Sequence, residues 1–154
     1  MTDTLQAAKN DLKQGWKTPD GATCKCCGQK VKLYRRRIYA APARALISLY
    51  RKDSNTRAFY HITDLDVDLG GSDFSKLKYW GLIEKAPNDD PDKASSGLWA
   101  ITEKGRSFVN NKIKLHKYAL VYNDYLVAFE GIECGIKDAL GKKFDYAELM
   151  GRLL

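Results

Sequence analysis

A chain of 154 residues, 44% of them apolar and 29% charged, is long enough to bury a core and too apolar to stay a disordered coil. No apolar run approaches the roughly 20 residues of a membrane helix, and the opening stretch MTDTLQAAKNDLKQGW has no signal-like apolar centre, so a cytoplasmic protein without a membrane partner is expected. The net charge of +7 is unevenly placed: residues 24–57 hold ten Lys and Arg against the single Asp53, while residues 1–23 are neutral and residues 58–154 sum to −2. A basic block of that kind points to a polyanion.

In chain order, Leu5, Ala8, Leu12 and Trp16 recur at steps of three and four and predict a short amphipathic helix over 3–14. Thr18-Pro19-Asp20-Gly21 is turn chemistry and ends it. The segment Cys24-Lys25-Cys26-Cys27-Gly28 follows. Cys24-x-x-Cys27 has the spacing of a zinc knuckle, and Gly28 suits the tight turn after the second thiolate. Structural zinc takes four ligands, yet there is no second Cys-x-x-Cys; Cys26, His61, His116 and Cys134 are isolated candidates. Three readings stand together: zinc held by Cys24 and Cys27, a degenerate knuckle bearing thiols, and a reactive cysteine activated by Lys25 and Lys30. The crowding excludes an ordinary disulfide framework and favours a reducing compartment. Val31 and Leu33 alternate with Lys32 and predict a strand leaving the turn, which carries Lys30, Lys32, Arg35, Arg36 and Arg37.

Ala41-Pro42 predicts a helix start, with Ala43, Leu46, Ile47 and Tyr50 as its stripe and Asp53-Ser54-Asn55 as its end. Residues 60–69 form a short element, helical at its start or extended, closed by Gly70-Gly71. Ser72 is an N-cap for a helix over 72–80 whose inner stripe is Phe74, Leu77 and Trp80 and whose left-handed terminator is Gly81. Strands at 82–85 and 98–101 flank a polar loop, and Thr102 caps a helix that turns Phe108 and Val109 inward. In YALVYNDYLVAFE, residues 118–130, two β-rich runs meet at Asn123-Asp124, a two-residue hairpin turn. A final helix over 145–150 completes an α+β fold in three segments: 1–37, 38–112 and 113–154.

The runs FSKLKYWGLIEK (74–85) and LWAITEKGR (98–106) make residues 42–109 resemble a winged-helix domain, the helix-turn-helix variant with a β-hairpin after its third helix. In that superfamily a helix passes through a Gly-Leu-Ile step into the first wing strand, and the second strand enters a Thr-x-x-Gly-Arg helix start. The resemblance implies that helix 72–80 is the recognition helix, with Asp73, Ser75, Lys76, Lys78 and Tyr79 outward and able to reach phosphates or base edges. Winged helices also serve RNA and protein contacts. The implied wing tip, residues 88–93, carries three acids against one base, which a phosphate backbone would repel.

The expected function is therefore nucleic-acid binding, DNA first and RNA second, in the manner of a small bacterial or phage regulator. Lys30, Lys32, Arg35, Arg36, Arg37, Ser75, Lys76, Lys78 and Tyr79 are the candidate contacts, with Tyr34 and Tyr39 available for stacking on a single strand. The alternative is a protein-interaction or oligomerisation module whose C-terminal hairpin pairs with a second copy or another protein. No enzyme is expected: there is no phosphate-binding glycine loop and no His-Glu-x-x-His, and Asp64, Asp66 and Asp68 lack the glycine and distal Glu of a calcium loop.

Overall fold

The computed structural model describes residues 5–18, 20–25, 27–53, 56–65, 73–88, 90–92 and 97–151. Cys26, Ser72, the Gly70-Gly71 pair, Asp66, Asp68 and the wing residues Asp89 and Lys93 lie outside them. In chain order the elements are α1 (Leu5–Gly15), β1 (Ala22–Thr23), β2 (Lys30–Val31), β3 (Tyr34–Arg37), α2 (Ala40–Asp53), β4 (Tyr60–His61) and the 3-10 segments η1 (Ile62–Asp64) and η2 (Asp73–Trp80). They continue with β5 (Ile83–Lys85), β6 (Leu98–Ile101), α3 (Glu103–Val109), β7 (Leu115–Tyr122), β8 (Tyr125–Cys134), α4 (Ile136–Leu140) and α5 (Tyr146–Leu149). The fold is α+β, and no described helix is long and apolar enough to cross a membrane.

Two compact units form, each from two stretches of chain: Met1–Arg36 groups with Tyr118–Glu130, and Arg37–Lys117 groups with Gly131–Leu154. In the first unit, α1 lies on the surface. Its Leu5 is 68% exposed, and Ala8, Leu12 and the following Trp16 are half-buried. The Trp16 carbonyl accepts the Leu33 amide at 2.8 Å, and the Trp16 ring lies 5.9 Å from that of Tyr122. β1 and β2 pair antiparallel, Ala22 opposite Val31 and Thr23 opposite Lys30. Val31 and Leu33 are buried while Lys30, Lys32 and Tyr34 are exposed or half-buried, the alternation of an extended chain covered on one face.

A second sheet runs β3-β7-β8. The turn joining β7 to β8 has both central residues left-handed, Asn123 at φ 49° and Asp124 at φ 67°, the two-residue geometry whose twist matches the strands it joins. β7 buries Ala119, Leu120 and Val121 in succession, as an inner strand covered on both faces does, whereas β8 is exposed from Tyr125 to Glu133.

In the second unit, α2 supplies the core with Ala43, Ala45, Leu46, Ile47 and Leu49, and Pro42 sits in its first turn, where the missing N–H costs no helical hydrogen bond. The sheet order β4-β6-β5 is antiparallel throughout, with Tyr60 opposite Trp99 and Ile83 opposite Ile101. Of the 60–69 element, the described part is the short strand β4 followed by the tight turn η1, in which the His61 ring accepts the Thr63 amide at 3.2 Å; residues 66–69 lie outside the described residues. Against the simple helix expected over 72–80, residues 73–80 wind as a 3-10 helix. Phe74, Leu77 and Trp80 are spaced by three, so a helix of three residues per turn stacks them in one line, where an α-helix would spread them. All three are buried; Phe74 meets Trp99 edge-on at 6.2 Å, and Trp80 Nε1 donates to the His116 carbonyl at 2.8 Å. α4 and α5 pack on α2.

Candidate nucleic-acid interface

The cysteine turn closes the β1–β2 hairpin. The Cys24 amide donates to Gln29 O and the Gly28 amide to Cys24 O, each at 2.8 Å, and Gly28 has φ 73°. A Cβ there would meet nothing within 4 Å, so glycine serves the left-handed backbone and not the space. Cys24 is half-buried and Cys27 exposed. The turn thus offers two thiols in a knuckle-like loop. Among the described residues no group of three or more His, Cys, Asp or Glu side chains could hold a metal ion. Lys25 pairs with Asp11 at 2.8 Å across an exposed surface.

The basic strand divides its side chains between two roles. Lys32, Tyr34 and Arg36 follow each other at steps of two, and Lys32 Nζ and Arg36 Cζ each lie 5.5 Å from the centre of the Tyr34 ring, which is 51% exposed. Arg35 instead stacks its guanidinium 3.8 Å over the Tyr118 ring and reaches Glu130 at 3.2 Å. Its charge thus has a carboxylate partner on the exposed surface. Among the described residues, Lys30, Lys32 and Arg36 form no ion pair with a carboxylate, and the Arg36 Nε is shielded from water without a hydrogen-bond partner. Gln29, Lys30, Lys32, Tyr34, Tyr122 and Asn123 line a cleft of about 360 Å³.

The remaining candidates belong to the second unit. Arg37 lies 5.3 Å from the Tyr39 ring. The Tyr39 hydroxyl donates to Asp73, and this bond, with burial and the Asp73 charge behind it, raises the Tyr39 pKa against the opposing pull of Arg37. Asp73, expected outward on the reader segment, is thereby engaged inside the unit. Ser75, Lys76 and Lys78 are half-buried on η2. Tyr79 corrects the sequence reading: it is 8% exposed, drawn into the core instead of facing outward, because the 3-10 winding turns more than one line of side chains toward α2 and β5.

Sequence reasoning missed the partners that give the strand its character. Tyr118, Tyr122 and Glu130 sit more than 80 positions downstream of Tyr34, and their proximity follows from the hairpin's grouping with the N-terminal unit. The even spacing of Tyr118 and Tyr122 on a strand was the one available signal. His116 is exposed with Nδ1 3.1 Å from Gly131 O, and Cys134 is buried, its thiol pKa pushed up by that burial and by Asp138. No protein-family model, curated protein or solved structure matches this chain.

Proposed function

We propose that this protein binds nucleic acid through the cationic face of its N-terminal unit, with a winged-helix domain as its second unit. The observation that carries the reading is the pair Lys32 and Arg36 about an exposed tyrosine, with Lys30 lining the same cleft as Lys32 and Tyr34, three cations that form no carboxylate pair among the described residues. Removing phosphate counterions favours such a face over the solvated charge pairs seen at Lys25 and Arg35. The winged-helix reading is supported by three helical segments, α2, η1 and η2, followed by the β5–β6 hairpin and α3. It is also supported by Thr102, whose hydroxyl donates to Gly81 O and accepts the Gly105 amide, tying the Gly-Leu-Ile step to the Thr-x-x-Gly-Arg start. Ser75, Lys76, Lys78 and Arg37 are secondary binding residues in this reading. Zinc on Cys24 and Cys27 would stiffen the turn that launches the strand.

The test is fluorescence anisotropy with mixed-sequence DNA across a salt series. Binding should weaken steeply with salt, and the triple variant K30A/K32A/R36A should lower the log–log slope by about 2–3, roughly 0.7–0.9 for each phosphate no longer neutralised. Absence of binding at about 50 mM salt would refute the reading. Metal analysis should return zinc that Cys27→Ser abolishes; zinc-free folded protein with full binding would remove the metal from the account.

A second reading is favoured by β8. This outer strand exposes Tyr125 at 72% and Ile132 at 74%, with Leu126, Val127 and Phe129 also exposed, and bears no Lys or Arg to deter pairing. Antiparallel pairing of two copies about Phe129 would set Glu130 against Ala128 and Glu133 against Tyr125, so no like charges face each other. Light scattering should then report a dimer that Val127→Lys converts to monomer; a monomer at every concentration would exclude it.

A further inference from the structure

We propose that the cleft of Gln29, Lys30, Lys32, Tyr34, Tyr122 and Asn123 receives one unpaired nucleotide of a single-stranded nucleic acid, its base against the Tyr34 ring and its phosphates on the flanking cations. This rests on the nucleic-acid reading above and narrows it from any polyanion to an unpaired strand.

Four observations converge on it. The Tyr34 ring is half exposed on a strand whose neighbours Val31 and Leu33 are buried, so a large π face is held on the surface by a fixed backbone. Two cations stand at the same 5.5 Å from its centre, one from each side along the chain, where they can meet the phosphates on either side of a stacked base. The cleft of about 360 Å³ lies at the small end of the roughly 300–1,000 Å³ found for ligand sites, room for one nucleotide and not for a base pair. Its lining includes two carboxamides, Gln29 and Asn123, each with a donor and an acceptor for a base edge.

A duplex cannot use these features together. Its base faces are covered by their neighbours, so a tyrosine ring in a cleft meets a π face where a strand is unpaired. Tyr39 does not duplicate the role, since it does not line the cleft. Stacking falls to Tyr34.

The experiment compares labelled oligothymidylate, oligouridylate and a mixed-sequence duplex of equal length by anisotropy at low salt, using the full chain. Single strands should bind more tightly than the duplex. Tyr34→Ala should weaken single-strand binding by about 5- to 150-fold, the fold-change equivalent to losing one base stack, and leave the duplex affinity unchanged. Tyr34→Leu, which keeps apolar bulk but lacks a π face, should lose as much, whereas Tyr34→Phe should bind as the parent does. Stronger binding of the ribo or the deoxy strand identifies which polymer is the ligand, and both outcomes support the inference. Equal single-strand and duplex affinities with a neutral Tyr34→Leu would overturn it while leaving the cationic face intact. No binding of any of the three would overturn both.

Discussion

Asp53 is a fully buried carboxylate at the end of α2, and donors meet both of its oxygens. Arg106 pairs with one oxygen, the amides of Arg57 and Ala58 donate at 3.1 and 3.0 Å, and the Thr56 hydroxyl donates at 3.1 Å. Removing the acid strands the Arg106 guanidinium, itself mostly covered, so Asp53→Ala should cost roughly 3–5 kcal/mol in denaturant unfolding. Asp53→Asn keeps one acceptor oxygen but turns an NH2 group toward N–H donors in place of the other, so it should also destabilise, by less than the full loss. Three other groups contribute to the pH dependence at the alkaline end. Burial raises the pKa of Cys134 above its ordinary 9.0 and of Tyr146 above 10.0, and the Asp73 bond does so for Tyr39. The folded state holds these protons after the unfolded chain has released them. Their contribution is therefore complete below about pH 9 and declines as pH climbs through and beyond the ordinary values. Thermal melts should fall above pH 9, and Cys134→Ala should remove the earliest part of that fall. Burial of Val31, Leu33, Phe108 and Val109 was legible from alternation and helical stripe. Asp53 was not, because an acid before Ser54-Asn55 reads as a solvated helix end until Arg106, far along the chain, is brought to it.

Among the elements, the join of β5, β6 and α3 depends on a residue without a side chain. A Cβ on Gly105 would meet the Leu82 carbonyl oxygen and approach Ile101 Cγ1 at 2.8 Å, so α3 sits directly against the backbone of the preceding step. Gly105→Ala should destabilise by about 1–3 kcal/mol, the usual effect of overpacking, seen as an earlier denaturant midpoint with an unchanged slope. Gly81, at φ 74°, was legible as a left-handed terminator, as were the Thr102 cap and the Asn123-Asp124 turn. These are local signals: the chemistry of one or two residues dictates a backbone conformation. The 3-10 winding of η2 was harder to read. Phe74, Leu77 and Trp80 fit either helix type over so short a span, and the fate of Tyr79 turns on that difference.

At the scale of the whole molecule, the charge map and the α+β class could be read from the sequence, whereas the grouping of residues 118–130 with the first 36 could not. Pairing between distant strands leaves no local pattern, since β3 and β7 would each look the same beside another neighbour. The N-terminal unit also has consequences for how the protein is made. At the roughly 5–20 residues per second of translation, residues 1–36 emerge on the order of ten seconds before the strands that complete their unit. Throughout that interval the basic strand and its tyrosine leave the ribosome beside ribosomal RNA, a polyanion, with Arg35 still lacking Glu130. Nascent chains halted before residue 130 should therefore cling to the ribosome in a salt-sensitive way that finished chains do not, and K30A/K32A/R36A should release them.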